Sequence, residues 1–276
     1  MRYGIDVPQF GDYGDARTLA ELAREAEQAG WDGFFIWDHI NVNWPTPVAD
    51  PWIALAAIAS ATARIRIGAL VTPLFRRNPW KLARETVTLD HLSQGRLIVG
   101  VGLASDVFEE ISSFNGPLDD RVRAEMLEEG LAILTGLWSG EKFAFAGKHY
   151  QVQGTQFLPL PIQKPHIPIW VAGTWPRKPP FRRAARFDGV VPMSGDIEQA
   201  LKPAQIADIK SFIASQRTTN APFDIVIAGE TDPAQAREIT SAYEAAGATW
   251  WLESTLPWKQ SLADFRRRIM AGPPFA

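Results

Sequence analysis

Residues 78–103 read NPWKLARETVTLDHLSQGRLIVGVGL. Asn78 and Pro79 predict the start of a helix, because proline is favoured in the first helical turn. Gly95 predicts the end of that helix, since glycine readily takes the left-handed conformation that terminates helices. Residues 96–103 are apolar after the first position and do not alternate, which is typical of a parallel strand covered on both faces. The stretch therefore predicts one helix–strand unit of an α/β fold.

The same unit recurs along the chain at intervals of about 30 residues, the size of a βαβ repeat. The loop after the first strand reads VPQFGDYG and lacks the GxGxxG pattern of a doubly wound nucleotide-binding sheet. Eight units instead predict a closed (β/α)8 TIM barrel, with an insertion at residues 140–168 between strands four and five. No linker-like change in composition occurs, so we expect residues 1–276 to form a single domain. The predicted strands are residues 2–6, 33–40, 64–71, 96–103, 167–173, 188–193, 223–229 and 248–254.

The composition of the chain excludes several function classes. Its 276 residues contain no cysteine, which excludes disulfides, thiolate metal sites and cysteine nucleophiles. The four histidines show no metal-binding spacing, so we expect no metal site. A net charge of −3 argues against unselective nucleic-acid binding. No stretch is long and apolar enough to span a membrane, and we expect a cytoplasmic protein without membrane or nucleic-acid partners.

Several segments together resemble the bacterial luciferase-like flavin-dependent oxidoreductases. They are GWDGFFIWDHI (30–40), RIRIGALVTPL (64–74), LDHLSQGRLIVGVG (89–102), IPIWVAGTW (167–175) and RRAARFDGVVP (182–192). The resemblance implies a (β/α)8 barrel with reduced FMN or the deazaflavin coenzyme F420 bound at its C-terminal mouth. It also implies hydride transfer or oxygen activation on a small organic substrate. With FMN a separate flavin reductase would supply the reduced cofactor, and pairing through the second and third helices implies a homodimer.

Side chains at the C-terminal ends of the strands are the candidates for chemistry, since barrel active sites lie there. His39 ends the second strand, where the family carries a histidine that faces the cofactor. An imidazole titrates near neutral pH, so it can give or take a proton as charge develops. We predict His39 as the catalytic residue and its neighbour Asp38 as a cofactor-binding residue. The alternative is a structural histidine bonded to a neighbouring loop.

The cofactor ring and phosphate are assigned to two further strand ends. The resemblance implies that Ala69, Leu70, Val71 and Thr72, at the end of the third strand, back the flat ring, often through a bulge with a cis peptide bond. A glycine, a hydroxyl group and two cations follow strand five and form a predicted phosphate cradle. They are Gly173, Thr174, Arg177 and Lys178, which Gly195 and Asp196 would help to close, with Arg76 and Arg77 as alternatives for an anionic tail.

The substrate pocket is assigned to Trp44 and Trp175, because tryptophan often walls pockets for flat ligands. Leu103 stands where luciferases proper place an arginine, which disfavours classical luciferase chemistry. In deazaflavin-dependent relatives the resemblance implies a glutamate near this point as a proton donor. Asp106, Glu109 and Glu110 are not in register with it and are interpreted as a solvated helix start. The sequence thus predicts a flavin- or deazaflavin-dependent oxidoreductase. The alternative is a flavin-binding barrel without catalytic activity.

Overall fold

The computed structural model describes residues 1–196, 199–232, 234–256 and 258–274. Its strands are β1 (Arg2–Val7), β2 (Gly33–Ile36), β3 (Arg66–Pro73), β4 (Leu97–Gly102), β5 (Phe143–Ala146), β6 (Gln151–Thr155), β7 (Ile169–Thr174), β8 (Gly189–Met193), β9 (Asp224–Gly229) and β10 (Trp250–Ser254). Its helices are α1 (Ala16–Gln28), α2 (Pro51–Ala61), α3 (Pro79–Leu92), α4 (Glu110–Ser113), α5 (Asp120–Trp138), α6 (Lys178–Ala184), α7 (Pro203–Gln216), α8 (Ala236–Ala246) and α9 (Leu262–Met270). In the described ranges, no helix is long and apolar enough to cross a membrane.

Eight of the described strands close into a parallel barrel in the order β1-β10-β9-β8-β7-β4-β3-β2. This confirms the predicted (β/α)8 barrel. The predicted ends of four strands were wrong by two residues or more. β7 begins at Ile169 rather than at residue 167, and β10 begins at Trp250 rather than at residue 248. β2 ends at Ile36 rather than at residue 40. β3 begins at Arg66 rather than at residue 64, because the backbone amides of residues 63–65 donate to the carboxylate of Glu27 instead of joining the sheet.

The insertion between β4 and β7 carries a separate antiparallel hairpin, β5–β6. Its strands lie at residues 143–146 and 151–155, whereas the sequence placed them around residues 147–152 and 155–160. The predicted first strand is instead largely the turn, because the amides of Lys148, His149 and Tyr150 all donate to the carboxylate of Glu129 on α5. That carboxylate fixes the hairpin against the helix.

Aromatic side chains fill the inside of the barrel below its mouth. The ring centre of Phe35 lies 5.3 Å from that of Trp170 and 5.8 Å from that of Trp250, and all three residues are fully buried. Each comes from a different strand, and such edge and tilted contacts are favoured between aromatic rings. They form a closed floor, so a ligand can enter only above them, at the C-terminal ends of the strands.

Strands β3 and β4 lie unusually close together beneath the end of β3. A Cβ atom at Gly100 would come within 2.3 Å of the Ala69 carbonyl oxygen and within 2.6 Å of Leu70 Cδ2. Glycine is therefore required by this close approach of one backbone to the other. The contact fixes the position of the residues that the sequence assigns to the cofactor ring.

Replacing Gly100 with alanine is expected to lower the free energy of unfolding by about 1–3 kcal/mol, the usual effect of overpacking. The matched control is Gly195→Ala, because a Cβ atom there meets nothing within 4 Å. Urea unfolding followed by tryptophan fluorescence measures both variants. Equal stability of the two variants would contradict the close packing of β3 on β4.

Candidate active site

The carboxylate of Glu110 holds the ring of His39. Nδ1 of His39 lies 3.1 Å from Oε2 of Glu110, and the backbone amide of Ile40 donates to Oε1 of the same carboxylate. Among the described residues, Nε2 of His39 has no hydrogen-bond partner. A carboxylate on one ring nitrogen fixes the tautomer and orientation of an imidazole and leaves the other nitrogen for a ligand. The arrangement suits a group that exchanges a proton through Nε2.

Asp38 points away from His39 into a buried network. Its Oδ2 accepts from the Thr72 hydroxyl at 2.7 Å and from Trp52 Nε1 at 3.2 Å. Its Oδ1 accepts from Arg77 Nη2 at 3.0 Å and from Arg76. Both oxygens are thus occupied, and the carboxylate ties β2 to β3 behind the mouth. Direct contact of Asp38 with a cofactor stays a prediction.

Arg76 joins the two carboxylates into one unit. Its Nη2 bonds to Asp38, and its Nη1 lies 2.6 Å from Oε1 of Glu110. Within the described residues Arg77 forms its ion pair with Asp38 alone, and its guanidinium lies over the ring of Trp52. Both arginines therefore form ion pairs within the protein, although the sequence analysis named them as alternative binding residues for an anionic tail of the cofactor.

The surroundings of Glu110 and Asp38 stabilise the ionised forms of both carboxyl groups. Burial raises the pKa of the Glu110 carboxyl, but the hydrogen bond from His39, the charge of Arg76 and the Ile40 amide outweigh it and hold that pKa below its usual value. Burial likewise acts against the Asp38 carboxylate, but Arg77, Arg76 and Thr72 keep its pKa low. Both carboxylates are therefore ionised at neutral pH.

An aromatic cleft opens beside His39. It has a volume of about 450 Å³ and is lined by Phe10, Gly11, Asp12, Tyr13, Trp44 and Trp258. The ring of Phe10 makes edge contacts with His39, Trp44 and Phe108 at centre distances of 5.9, 5.8 and 5.9 Å. The structure thus places Trp44 in the cleft, and the rings of Phe10 and Phe108 contact both Trp44 and His39.

The end of β3 forms a platform in the barrel mouth. The pairing of β3 with β4 shifts between Ala69 and Thr72, and the peptide bond between Leu70 and Val71 is cis. Ala69 and Thr72 are buried, whereas the side chains of Leu70 and Val71 are partly exposed and pack beside the barrel interior. An apolar platform of this kind, with glycine behind it on β4, fits a flat ring.

The structure separates the residues of the predicted phosphate cradle into two groups, one packed against neighbouring side chains and one exposed. Gly173 faces α6, since a Cβ atom there would lie 2.4 Å from Pro180 Cβ. Nζ of Lys178 lies 3.5 Å from the centre of the Trp175 ring, which itself packs edge-on against Phe181 at 5.0 Å. Lys178 and Trp175 therefore pack in the helical layer. Thr174 is partly exposed. The Arg177 side chain is 73% exposed and makes one exposed ion pair, with Asp120 at 3.5 Å, so both residues stay accessible to a phosphate.

Glu110 was assigned wrongly from the sequence. It is 3% exposed, not solvated, and it belongs to the short helix α4 that follows β4. The apolar neighbours Phe108 and Ile111 are also buried, and their spacing around Glu110 was the available signal. Trp258, which lines the cleft from the loop after β10, was missed as well, because no local pattern distinguishes it from the other tryptophans. In the ranges that the structure describes, no cluster of three or more potential metal ligands occurs.

Several known proteins are similar to this chain in sequence or in fold. The chain is 30% identical over 231 residues to a protein from Kineococcus radiotolerans named F420-dependent glucose-6-phosphate dehydrogenase, a match covering 80% of this chain and 67% of the relative. The F420-dependent tetrahydromethanopterin reductase structure from Methanopyrus kandleri superposes with a TM-score of 0.79 at 15% identity, covering 98% and 96% of the two chains. The monooxygenase RslO1 from Streptomyces bottropensis gives a TM-score of 0.71 at 22% identity, covering 98% of each.

The family model described as luciferase-like monooxygenase matches residues 3–271. This match includes all eight barrel strands except Arg2 of β1, and it includes His39 in the loop after β2 and the platform at the end of β3. The resemblance identified from the sequence segments is thereby confirmed. The chain belongs to the luciferase-like monooxygenase family.

Proposed function

We propose that this chain is an oxidoreductase that transfers a hydride between coenzyme F420 and a small organic substrate. The observation that carries the proposal is the pairing of His39 with Glu110 next to an apolar platform in a barrel mouth. The dehydrogenase from Kineococcus radiotolerans and the reductase from Methanopyrus kandleri, both named as F420-dependent, support this choice of cofactor. Leu103, in place of the arginine that luciferases carry, also disfavours oxygenation with FMN.

The residues of the mouth have distinct roles in this proposal. Leu70 and Val71 back the flat ring, and Thr174 with Arg177 binds the phosphate. The cofactor, when bound, supplies or accepts the hydride. Nε2 of His39 takes up or returns the proton that balances the charge on the ring, while Glu110 keeps Nδ1 protonated and the imidazole in place.

The aromatic cleft suits an uncharged substrate. The six residues that line it include one charged group, the acidic Asp12, and four aromatic rings. Arg76 and Arg77 are neutralised by Asp38 and Glu110 and so do not offer positive charge to a phosphate ester. We therefore expect alcohols or carbonyl compounds to react better than the glucose 6-phosphate named for the relative.

Cofactor titration followed by turnover tests the proposed function. Quenching of tryptophan fluorescence is expected to give tighter binding of F420 than of FMN. Reduced F420 is then mixed with acetone and larger ketones, and oxidised F420 with glucose 6-phosphate, while its absorbance is followed. We expect oxidation of the cofactor by a ketone and no reaction with glucose 6-phosphate. Failure of F420 to bind would overturn the proposal.

The same experiment separates two alternatives. FMN monooxygenation is the second candidate, favoured by the similarity of fold to RslO1. It predicts tighter binding of FMN and oxygen-dependent substrate oxidation with a separate flavin reductase present. A flavin-binding barrel without catalysis predicts tight binding and no oxidation of the reduced cofactor by any compound offered.

The assembly, domain and location predictions also belong to the proposal. Exposed apolar side chains on α2 and α3, Ile53 at 68% and Leu92 at 47%, support a homodimer formed through these helices. Light scattering of the wild type and of Ile53→Lys tests it, and we expect the variant to shift toward the monomer. One domain spanning residues 1–276 and a cytoplasmic location remain predictions.

A further inference from the structure

Asp6 places a carboxyl group inside the barrel mouth. Two positions earlier on β1, a Cβ atom at Gly4 would lie 2.7 Å from Leu252 Cδ2 and 3.4 Å from Phe35 Cε2, both in the barrel interior. Alternate residues of a strand share one face, so Asp6 also faces inward, one layer above the aromatic floor. Asp6 is 6% exposed. Burying an ionised carboxylate is costly unless a charged partner and hydrogen bonds compensate for the lost water.

Both hydrogen-bond donors that contact Asp6 reach the same oxygen. Oδ2 accepts from Trp37 Nε1 at 3.1 Å, beyond the end of β2, and from the Ser254 hydroxyl at 3.2 Å, on β10. Oδ1 is buried and has no hydrogen-bond partner among the described residues. A neutral carboxyl group therefore carries its proton on Oδ1, because Oδ2 is already occupied as an acceptor. That proton lacks a protein acceptor in the described part of the chain.

Among the described residues, no charged group acts on the pKa of the Asp6 carboxyl. The side chains that face it are Trp37 and Ser254, and neither carries a charge. His39 lies on the far side of Trp37, with its ring centre 6.0 Å from that of the indole. Glu253, next to Ser254, is bonded instead to Thr231 and Arg268. Burial therefore dominates and raises the pKa of Asp6 to about 7, although the bonds from Trp37 and Ser254 act in the opposite direction.

We propose that Asp6 is a second acid–base group of the site, which exchanges the Oδ1 proton with an oxygen atom of the substrate. This proposal rests on the proposed function. In the direction of carbonyl reduction, the substrate carbon gains a hydride from the reduced cofactor, and the carbonyl oxygen takes the proton of Asp6 and becomes a hydroxyl. Asp6 is left as the carboxylate and regains a proton from water, while His39 takes the proton released by the ring. Alcohol oxidation follows the reverse steps.

The first test needs no ligand. Carbon-13 NMR of the protein labelled at its aspartate carboxyl carbons is recorded from about pH 4 to 9. Exposed aspartates titrate at the acid end of this range, since their ordinary pKa is about 3.9. We expect one signal that titrates near neutral pH, that is absent from Asp6→Asn and that is retained in Asp208→Asn, an exposed control on α7. A signal of Asp6 that titrates with the exposed carboxylates would overturn the proposal.

The second test measures turnover of reduced F420 with the ketone identified above. Asp6→Asn is expected to bind F420 as the wild type does and to lose roughly a hundredfold in kcat, because one acid–base group is missing. Ser254→Ala, which removes one donor, is expected to move the neutral limb of the pH–rate profile to higher pH. An unchanged kcat in Asp6→Asn with normal F420 binding would overturn the role of Asp6 alone. Failure of the wild type to bind F420 would overturn the proposed function instead.

Discussion

Asparagine at position 39 is expected to lower kcat by about 10²- to 10⁴-fold while leaving the dissociation constant of F420 within a few-fold of the wild type. The amide of asparagine can still donate to Glu110, where Nδ1 of His39 lies 3.1 Å from Oε2, so the buried carboxylate keeps a partner. It cannot exchange a proton near neutral pH, and the acid–base contribution is therefore lost. Steady-state turnover and fluorescence titration of His39→Asn measure the two quantities.

Glu110→Gln distinguishes orientation from proton transfer. The glutamine keeps the shape of the side chain and its contacts with the Ile40 amide but loses the charge that pairs with His39 and Arg76. We expect a smaller loss of kcat, about tenfold, because the imidazole loses the charged partner that orients it but keeps the nitrogen that exchanges the proton. A full loss in Glu110→Gln with an active His39→Asn would contradict the assignment of roles.

The barrel could be predicted because its signals are local. Each apolar strand, such as residues 97–102, is followed within a few residues by a helix start or a turn. Glycine at positions such as Gly100 marks where two strands meet closely. Strand ends were less predictable, because they depend on which group accepts the backbone amides. At residues 63–65 that acceptor is Glu27, which lies more than thirty residues earlier in the chain.

The site could be predicted only in part, because its residues meet through tertiary contacts. His39 and Trp44 both follow β2, and both contact the ring of Phe10. Glu110 reaches His39 from α4, 71 residues further along the chain, so their contact is not visible in either local segment. Lys178 was read as a phosphate ligand from its charge, whereas the rings of Trp175 and Phe212 hold its ammonium group. The charge of a side chain does not by itself show which neighbouring group it contacts.

Replacing Asp38 with asparagine is expected to lower the free energy of unfolding by about 3 kcal/mol. Removal of one partner from a buried ion pair typically costs about 3–5 kcal/mol, because the other charge stays buried without compensation. The lower end applies here, since the side chains of Arg76 and Arg77 retain 12% and 15% exposure to solvent. Urea unfolding at pH 7 measures the effect, and Asp208→Asn on the surface of α7 is the control.

The dependence of this loss on pH identifies its origin. The pKa of Asp38 is held low in the folded protein, so its ion pairs stabilise the fold fully above the ordinary carboxyl pKa of about 3.9 and lose this effect as the pH falls below it. The difference between the wild type and Asp38→Asn should therefore stay constant from about pH 5 to 8 and shrink under more acidic conditions. In a double-mutant cycle with Arg77→Met, the second substitution should recover part of the loss, because it removes the guanidinium whose carboxylate partner in the described structure is Asp38. Strictly additive effects would show that the network behind His39 does not act as one unit.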